Sequence, residues 1–459
     1  MAVKTTFLLT SILLLLGSIA PAFSETLFGG SFTLGETVYL SGTNGKLFQD
    51  TEGRPGVVQS GELSLFLSSF AEGYTFEADL SASYEQHESL QIAMPRLMLE
   101  TSPLPWTVLR AGRFVQVPGN AEFRSPLDFL SQTDPEALLS GRLDSVRAPA
   151  DLLQAALFVG PAFLRLTTSL LRPELRLPET DSIWFPRRQI PDLVVRLDEE
   201  YLLRSIYYAP AEPDTFSFDD PSILAELGGS FYAVDATLLG YAGYTTDLIL
   251  RPRVVLDFLG GGPARPYDAE LDPIQERVAA LGGAVATSLG GFRLYGETAT
   301  IFNRPSVMAL ETWQEEATIF ERNDPAPIYR SRVTELNAGG SYQGYWDLAP
   351  TDGLQWFLLA EYFDTYGYPE DASLPLLARF VATSLQLSTY RPALTLGLQS
   401  VWSLRPPEDS YALVLQADWE ATPGLSFSAL LPLFWGESES ELGQYSENRL
   451  LRVEVTASF

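Results

Sequence analysis

The last nine residues of the chain alternate between apolar and polar side chains. The apolar side chains occupy the odd positions, which are Leu451, Val453, Val455, Ala457 and Phe459. The polar side chains occupy the even positions, which are Arg452, Glu454, Thr456 and Ser458. A period of two is the pattern of a β-strand with one apolar face and one hydrated face. The end of the chain therefore predicts a strand in a sheet whose two faces differ in chemistry.

The same alternation occurs in four further segments, which are residues 74–85, 394–402, 411–419 and 425–435. Aromatic residues lie near the ends of these segments: Tyr74, Tyr84, Trp402, Tyr411, Trp419 and Trp435. Charged residues lie in mid-strand on the polar face, as at Glu77, Asp79 and Asp418. Tilted strands of roughly 9–11 residues with aromatic residues at both ends are typical of membrane-spanning sheets. Because backbone groups in hydrocarbon must be hydrogen bonded within the protein, such a sheet has to close into a barrel.

The N-terminus predicts export. Lys4 precedes an apolar stretch, residues 7–20, and Ala22-Phe23-Ser24 has the small side chains of a cleavage site. The apolar stretch is shorter than the ~20 residues of a membrane-spanning helix. Residues 1–24 are therefore predicted to be a cleaved signal peptide rather than an anchor. No later segment offers the ~18 consecutive apolar residues that a spanning helix needs.

A chain that ends in an alternating strand with a terminal phenylalanine resembles the Gram-negative outer-membrane β-barrels. The C-terminal part, with FLLAEYFDT at 357–365 and ESELGQYSENRLLRVEVTASF at the end, resembles porin-type barrels. The resemblance implies an assembly signal, which the barrel-assembly machinery reads at Leu451, Val453, Val455, Ala457 and Phe459. It also implies an outer-membrane location, periplasmic chaperones during biogenesis, and lipids around the finished barrel.

The predicted fold is all-β, a transmembrane antiparallel up-and-down β-barrel formed by residues 25–459 as a single domain. With ~25 residues per strand and an even strand number, about 16 strands are expected, and 14–18 are possible. Short turns are predicted at 71–73, 160–161, 290–291 and 422–424. Longer connections are predicted at 41–60, 116–150, 172–191, 259–276, 303–329, 364–376 and 436–447.

Arginine is concentrated between residues 105 and 205, within a chain of net charge −28. Such a segment could supply one side of a charged constriction, since fixed charges set pore selectivity. Residues 116–150 alternate poorly, and Asp134-Pro135-Glu136 predicts the start of a short helix. One interpretation is a loop folded into the lumen. The other is an extracellular loop whose arginines pair with Asp128, Asp134 and Glu136 on the surface.

The pore-lining prediction combines both sets of charges: Glu77, Asp79, Arg113, Arg124, Arg142, Arg147, Asp418, Arg452 and Glu454. Because carboxylates exceed arginines over the whole chain, weak cation selectivity is expected. If the arginines line the constriction, neutralising Arg113, Arg124 and Arg142 together raises the preference for cations, and neutralising Glu77 and Asp79 lowers it.

Several other classes of protein are disfavoured by composition. The chain has no Cys and one His, which excludes disulfides, thiolate ligands and multi-histidine metal sites. Its negative charge argues against nucleic acid as a partner. The single His87 lies among Glu85, Gln86, Glu88 and Ser89, next to a strand end, and no catalytic motif accompanies it. No enzyme activity, metal or cofactor is therefore predicted.

The favoured function is an outer-membrane pore through which small hydrophilic solutes diffuse past a charged constriction. A structural or adhesive barrel that acts through its extracellular loops is the alternative. A secreted soluble β protein is a third class, which membrane extraction would exclude. The sequence leaves the solute and the oligomeric state open.

Overall fold

A computed structural model describes most of the chain after residue 24. The described residues are 25–41, 57–85, 90–139, 146–172, 177, 185, 190, 193–196, 199–209, 220–256, 265–309, 312–313, 324–347, 353–390, 393–404, 409–438, 440–446 and 449–459. The predicted signal peptide, His87 and Arg142 lie outside these residues.

The described residues form 23 strands. Their bounds are β1 Glu25–Ser41, β2 Val57–Ala71, β3 Tyr74–Glu85, β4 Gln91–Thr101, β5 Thr107–Phe114, β6 Ala150–Val159, β7 Ala162–Ser169, β8 Leu193–Arg196, β9 Glu199–Tyr208, β10 Ser222–Phe231, β11 Val234–Tyr244, β12 Ile249–Leu256, β13 Arg265–Ile274, β14 Arg277–Leu289, β15 Phe292–Met308, β16 Ile328–Trp346, β17 Leu354–Tyr366, β18 Ala372–Ser373, β19 Phe380–Tyr390, β20 Ala393–Ser403, β21 Ser410–Thr422, β22 Leu425–Trp435 and β23 Arg449–Ser458. A short helix, α1, spans Pro135–Leu139. No helix in the described part of the chain is long and apolar enough to cross a membrane.

Eighteen of the strands form one closed antiparallel barrel. Neighbouring strands are consecutive in the chain except where β7 pairs with β10, β11 with β14, and β17 with β19. The ring closes where β1 pairs with β23, from Ser31 opposite Ser458 to Val38 opposite Leu451. The prediction of a closed antiparallel barrel is confirmed, whereas the number of about 16 strands is wrong. Eighteen strands over residues 25–459 average about 24 residues each, close to the ~25 assumed, so the error lay in the choice of 16 as the even number, and 18 is the upper end of the stated range.

The two ends of the barrel differ in their connections. Two-residue turns lie at one end, including those after β6 at Gly160-Pro161 and after β14 at Gly290-Gly291. Gly160 and Gly290 have φ angles of 57° and 62°, a conformation that glycine adopts without steric cost. The long connections lie at the other end, and among them are the segments after β5, β7, β11 and β15.

The inner and outer faces of the barrel follow the alternation of side chains. Leu415 on β21 is in register with Leu398 and Leu431, and this face carries most of the exposed apolar side chains. Gln416 lies on the opposite face, opposite Gly397 and Leu430. Following the register around the ring, this second face is also the face of the buried carboxylates Glu226, Glu297, Glu335 and Glu361. We call the first the outer face and the second the inner face.

The residues of the C-terminal pattern follow this division. Leu451, Val453, Val455 and Ala457 lie on the outer face of β23, in register with outer-face positions of β1 and β22. Val453 and Val455 are exposed. Phe459 is exposed, and its backbone N–H and carbonyl both bond to the backbone of Gly30. Their role in assembly stays a prediction.

A second, four-stranded sheet lies in the connections at the loop end. Its order is β12-β13-β9-β8, with β13 parallel to β9. Tyr201, Val254 and Tyr267 belong to its own apolar core. The sequence predicted loops at 172–191 and 259–276 and did not anticipate this sheet. Its strands β9 and β13 have ten residues each, so strand length does not separate them from the spanning strands.

Candidate functional site

The connection between β5 and β6 lies against the inner face of the barrel. We call residues 115–139 and 146–149 of this connection the inner segment. Within it, the Asp134 carboxylate accepts a hydrogen bond from the Ala137 backbone N–H at 3.1 Å and caps α1. The predicted short helix is present at this position. The segment therefore has local structure of its own as well as contacts to the wall.

Two wall glutamates bind four consecutive backbone N–H groups of the inner segment. The Glu297 carboxylate on β15 accepts hydrogen bonds from Asn120 and, at 3.0 Å, from Ala121. The Glu361 carboxylate on β17 accepts hydrogen bonds from Glu122 at 2.6 Å and from Phe123 at 3.2 Å. Charged acceptors form stronger hydrogen bonds to backbone N–H groups than neutral acceptors do. Residues 120–123 are consequently fixed to the wall through their backbone.

Side chains complete this attachment. The Ser125 hydroxyl donates to the second Glu297 oxygen at 2.6 Å, and the Tyr295 hydroxyl donates to Glu361. The Asn337 side-chain amide donates to the Arg124 carbonyl at 2.9 Å. Burial without such partners would be costly for a carboxylate, so the hydrogen bonds explain how Glu297 and Glu361 are tolerated inside the protein.

Arg124 anchors the inner segment a second time. Its guanidinium lies 3.7 Å from Asp247 and 3.6 Å from Glu335, and it donates to the Leu376 carbonyl at 2.8 Å. Arg304 lies 2.5 Å from Asp247 and 3.4 Å from Glu335. The positive charges of the two guanidinium groups thus compensate the negative charges of the two carboxylates. Arg124 was predicted to line the pore, and the structure instead places most of its side chain between the segment and the wall.

Arg147 ties the return arm of the inner segment to its middle. It donates from Nε to Asp128 at 2.7 Å and from Nη2 to the Ala121 carbonyl at 2.6 Å. Both side chains of the ion pair are largely buried. Burial raises the pKa of Asp128 to about 6, because the loss of hydration outweighs the attraction of Arg147. Arg147, like Arg124, is occupied by a specific partner rather than facing the lumen freely.

The inner segment turns apolar side chains away from the wall. The Gln116 side chain is buried and bonds to Gln154 at 2.6 Å and to Glu226 at 3.1 Å. Val115 and Val117, on either side of it, are exposed. Glu122 is exposed as well. The surface that the segment offers is therefore mainly apolar, with a carboxylate at Glu122.

The predicted acidic residues lie on a part of the inner face that the segment leaves uncovered. Glu77 and Asp79 on β3 lie 2.9 and 3.7 Å from Arg96 on β4. Arg452 and Glu454 on β23 form an ion pair at 2.6 Å, and these side chains are partly exposed. Asp418 on β21 accepts a hydrogen bond from Gln416 at 2.8 Å.

Arg113 does not share this face. On β5 it is in register with Leu97 and Asp151, and it lies 3.9 Å from the Asp151 carboxylate. Its neighbours Gly112 and Phe114 point inward, and Phe114 belongs to a buried cluster with Leu127. The placement on the outer face is a correction to the pore-lining prediction. The outer-face position of Arg113 follows from the alternation of side chains along β5, which a count of arginines along the chain does not consider.

We distinguish two parts of the inner face. The covered wall consists of the buried inner-face residues that contact the inner segment: Gln154, Glu226, Glu297, Glu335, Asn337 and Glu361. The open wall consists of the exposed and half-exposed inner-face residues of β1–β5 and β21–β23, and it excludes Phe114, Ala412 and Val414, which are buried near the inner segment. Its charged residues with described side chains are the carboxylates Glu62, Glu77, Asp79, Glu100, Asp418, Glu420 and Glu454, and the arginines Arg96, Arg110 and Arg452.

The sequence analysis missed the anchors of the covered wall. Glu297, Glu335 and Glu361 each stand in mid-strand among apolar or small residues. A carboxylate in mid-strand is the sequence feature that points to an anchor of the inner segment. Glu77 and Glu454 on the open wall have the same feature, so it does not identify the anchors. Only the path of the inner segment separates the two groups.

Comparisons with known proteins concern the barrel architecture. No protein-family model and no curated protein matches the chain. Among solved structures, OccAB1 of Acinetobacter baumannii is 8% identical and covers 95% of this chain and 97% of its own, with a TM-score of 0.47. Salmonella typhi OmpF in complex with daunomycin is 9% identical, with coverages of 95% and 97% and a TM-score of 0.41. A mutant of the Rh. blastica porin is 11% identical, with coverages of 95% and 100% and a TM-score of 0.37.

Proposed function

We propose that the protein is an outer-membrane pore for small hydrophilic solutes, with the inner segment as its constriction. The observation that carries this proposal is the division of the inner face into a covered wall and an open wall with half-exposed charges. Large barrels with polar inner faces are suited to water-filled passages. Solutes would diffuse down their gradients between the inner segment and the open wall, without energy coupling.

The attachment of residues 120–123 supports a constriction of constant width. A segment held by four backbone hydrogen bonds and by Arg124 needs no solute to keep its position. Because the segment bonds to the wall rather than to residues across the lumen, it narrows the passage from one side and leaves the other side free.

Single-channel conductance of the purified protein in a planar bilayer tests the proposal. We expect stepwise currents from the wild type. The double variant E297Q/E361Q replaces one acceptor oxygen of each carboxylate by an amide donor and removes both charges, so the side chains can no longer satisfy all their present donors. We expect larger and noisier steps from it. The control E276Q removes a carboxylate that lies between β13 and β14 and pairs with Arg330 on β16. This variant should leave the conductance steps unchanged.

A barrel that inserts but never conducts would contradict the pore and favour the adhesive alternative. One observation speaks for that alternative: the four-stranded sheet at the loop end exposes Leu202, Arg204 and Tyr207 on one face. Such a surface would be available to a macromolecule outside the cell. Conductance therefore separates the two functions directly.

We also propose that the chain is exported by residues 1–24 and assembled into the outer membrane through its C-terminal strand. The exposed outer face of β23 supports the second part, because Val453, Val455 and Phe459 can be reached by another protein before lipid covers them. Deleting Phe459 should leave synthesis and export intact and reduce the heat-modifiable barrel in outer-membrane fractions. An undiminished barrel after this deletion would contradict the assembly role.

A further inference from the structure

We infer that the open wall makes the pore prefer small cations, and that Glu77 and Asp79 determine this selectivity. The inference rests on the proposed function, since selectivity requires a conducting lumen. It keeps the carboxylates Glu77 and Asp79 of the sequence-based expectation, and it differs from that expectation because it assigns no part of the selectivity to the arginines of the inner segment.

The open wall carries an excess of negative charge. Among its described side chains, seven carboxylates stand against three guanidinium groups. Arg110 pairs with Glu100, and Arg452 pairs with Glu454 at 2.6 Å. Arg96 is shared by Glu77 and Asp79, so this pair of carboxylates keeps about one uncompensated charge. These side chains are about one-quarter to one-half exposed, which leaves them accessible to ions.

The arginines of the inner segment do not offset this charge. Arg124 is balanced by Asp247 and Glu335, and Arg147 is balanced by Asp128. Each of these side chains is largely buried. Across the lumen, Glu122 and Arg293 are exposed and opposite in sign, so together they add no net charge. The excess on the open wall is therefore the field that a passing ion meets.

The size of the effect follows from the distance of an ion to the wall. In water, a unit charge about 7 Å away changes the energy of a monovalent ion by roughly RT. One uncompensated carboxylate favours a cation by about RT and disfavours an anion by the same amount, so it changes the ratio of cation to anion permeability by about sevenfold at low salt. At about 1 M salt the Debye length falls to about 3 Å, and the preference should largely disappear.

Reversal potentials in a tenfold KCl gradient test the inference on the full chain in a planar bilayer. We expect the wild type to favour K⁺ over Cl⁻. The variant E77Q/D79N should lower the K⁺/Cl⁻ permeability ratio by at least about sevenfold, and R96Q should raise it by a similar factor. The control E36Q removes one carboxylate from the outer face of β1, opposite Gln59 and Val453, and should leave the ratio unchanged. Heat-modifiable migration of each variant verifies that the barrel has folded.

Two kinds of result would overturn the inference while the pore stands. One is a wild-type channel with no preference for K⁺. The other is a permeability ratio for E77Q/D79N that equals that of E36Q. Folded protein that inserts without conducting would instead remove the proposed function itself, so the two failures are distinguishable.

Discussion

The covered wall and the open wall are built from the same strand pattern, yet their carboxylates have different environments. Glu297 and Glu361 are buried, and their oxygens accept backbone and hydroxyl hydrogen bonds from the inner segment and from Tyr295. Glu77 and Glu454 are partly exposed, and each lies beside an arginine of the wall. A carboxylate on an inner face is therefore an anchor where a segment crosses it and a source of pore charge where none does.

Substitutions on the two walls should affect different properties, the stability of the constriction in one case and the ion selectivity of the pore in the other. Breaking a buried ion pair leaves an uncompensated charge and costs several kcal/mol, whereas an exposed pair contributes about 1 kcal/mol or less. Substitutions on the covered wall and inner segment should change the fold of the constriction. Substitutions on the open wall should change ion flow with little effect on stability.

The largest effect is expected at the Arg147–Asp128 ion pair. Replacing Arg147 by Gln should destabilise the inner segment by about 3–5 kcal/mol at pH 7, because Asp128 is left buried and unpaired. The loss should shrink near pH 5. Arg147 lowers the pKa of Asp128, which is about 6 even with the ion pair present, so in the variant this pKa rises further and the buried carboxyl is protonated at pH 5. Amide hydrogen exchange of residues 120–123 measures the change, and unaltered protection at pH 7 would contradict this view of the covered wall.

The next effect tests the division into inner and outer faces. Replacing Leu415 by Arg should destabilise the barrel by ~2–4 kcal/mol, since this outer-face side chain lies in mid-strand. The same change at the neighbouring Gln416, on the inner face, should be tolerated. Urea titration in lipid vesicles compares the two variants. Equal tolerance at both positions would contradict the assignment of the two faces.

The sequence analysis reached the barrel and its faces but not the division within the inner face. The alternation at Leu415 and Gln416 depends only on the period of a strand, which is a local property. The strand number depends on connection lengths, which local patterns do not determine. The role of Glu361 depends on where residues 120–123 pass, and that path is set by contacts between residues more than two hundred positions apart.

A smaller effect is expected from crowding the attachment of the inner segment. A Cβ atom at Gly119 would clash with Ser125 Oγ and would lie 2.6 Å from Glu297 Oε2. Gly119→Ala should therefore displace these groups and cost about 1–3 kcal/mol. Gly296→Ala is a matched control on β15, because its Cβ would meet only the Asn337 carbonyl, at 3.9 Å. Faster exchange of the Ala121 amide in G119A but not in G296A is the expected outcome. Equal rates in both variants would mean that Glu297 does not hold the segment.

The smallest effect on stability is expected at the Arg452–Glu454 pair of the open wall. Its 2.6 Å separation is close to the 2.7 Å of Arg147 and Asp128, so the two pairs differ mainly in burial. Water screens the open-wall pair, and Arg452→Gln should change the free energy of unfolding by no more than about 1 kcal/mol. The same variant frees the Glu454 charge, so its K⁺/Cl⁻ permeability ratio should rise while its urea midpoint stays near that of the wild type. A loss of stability as large as that of Arg147→Gln would show that the open wall is packed, and the contrast between the two walls would then fail.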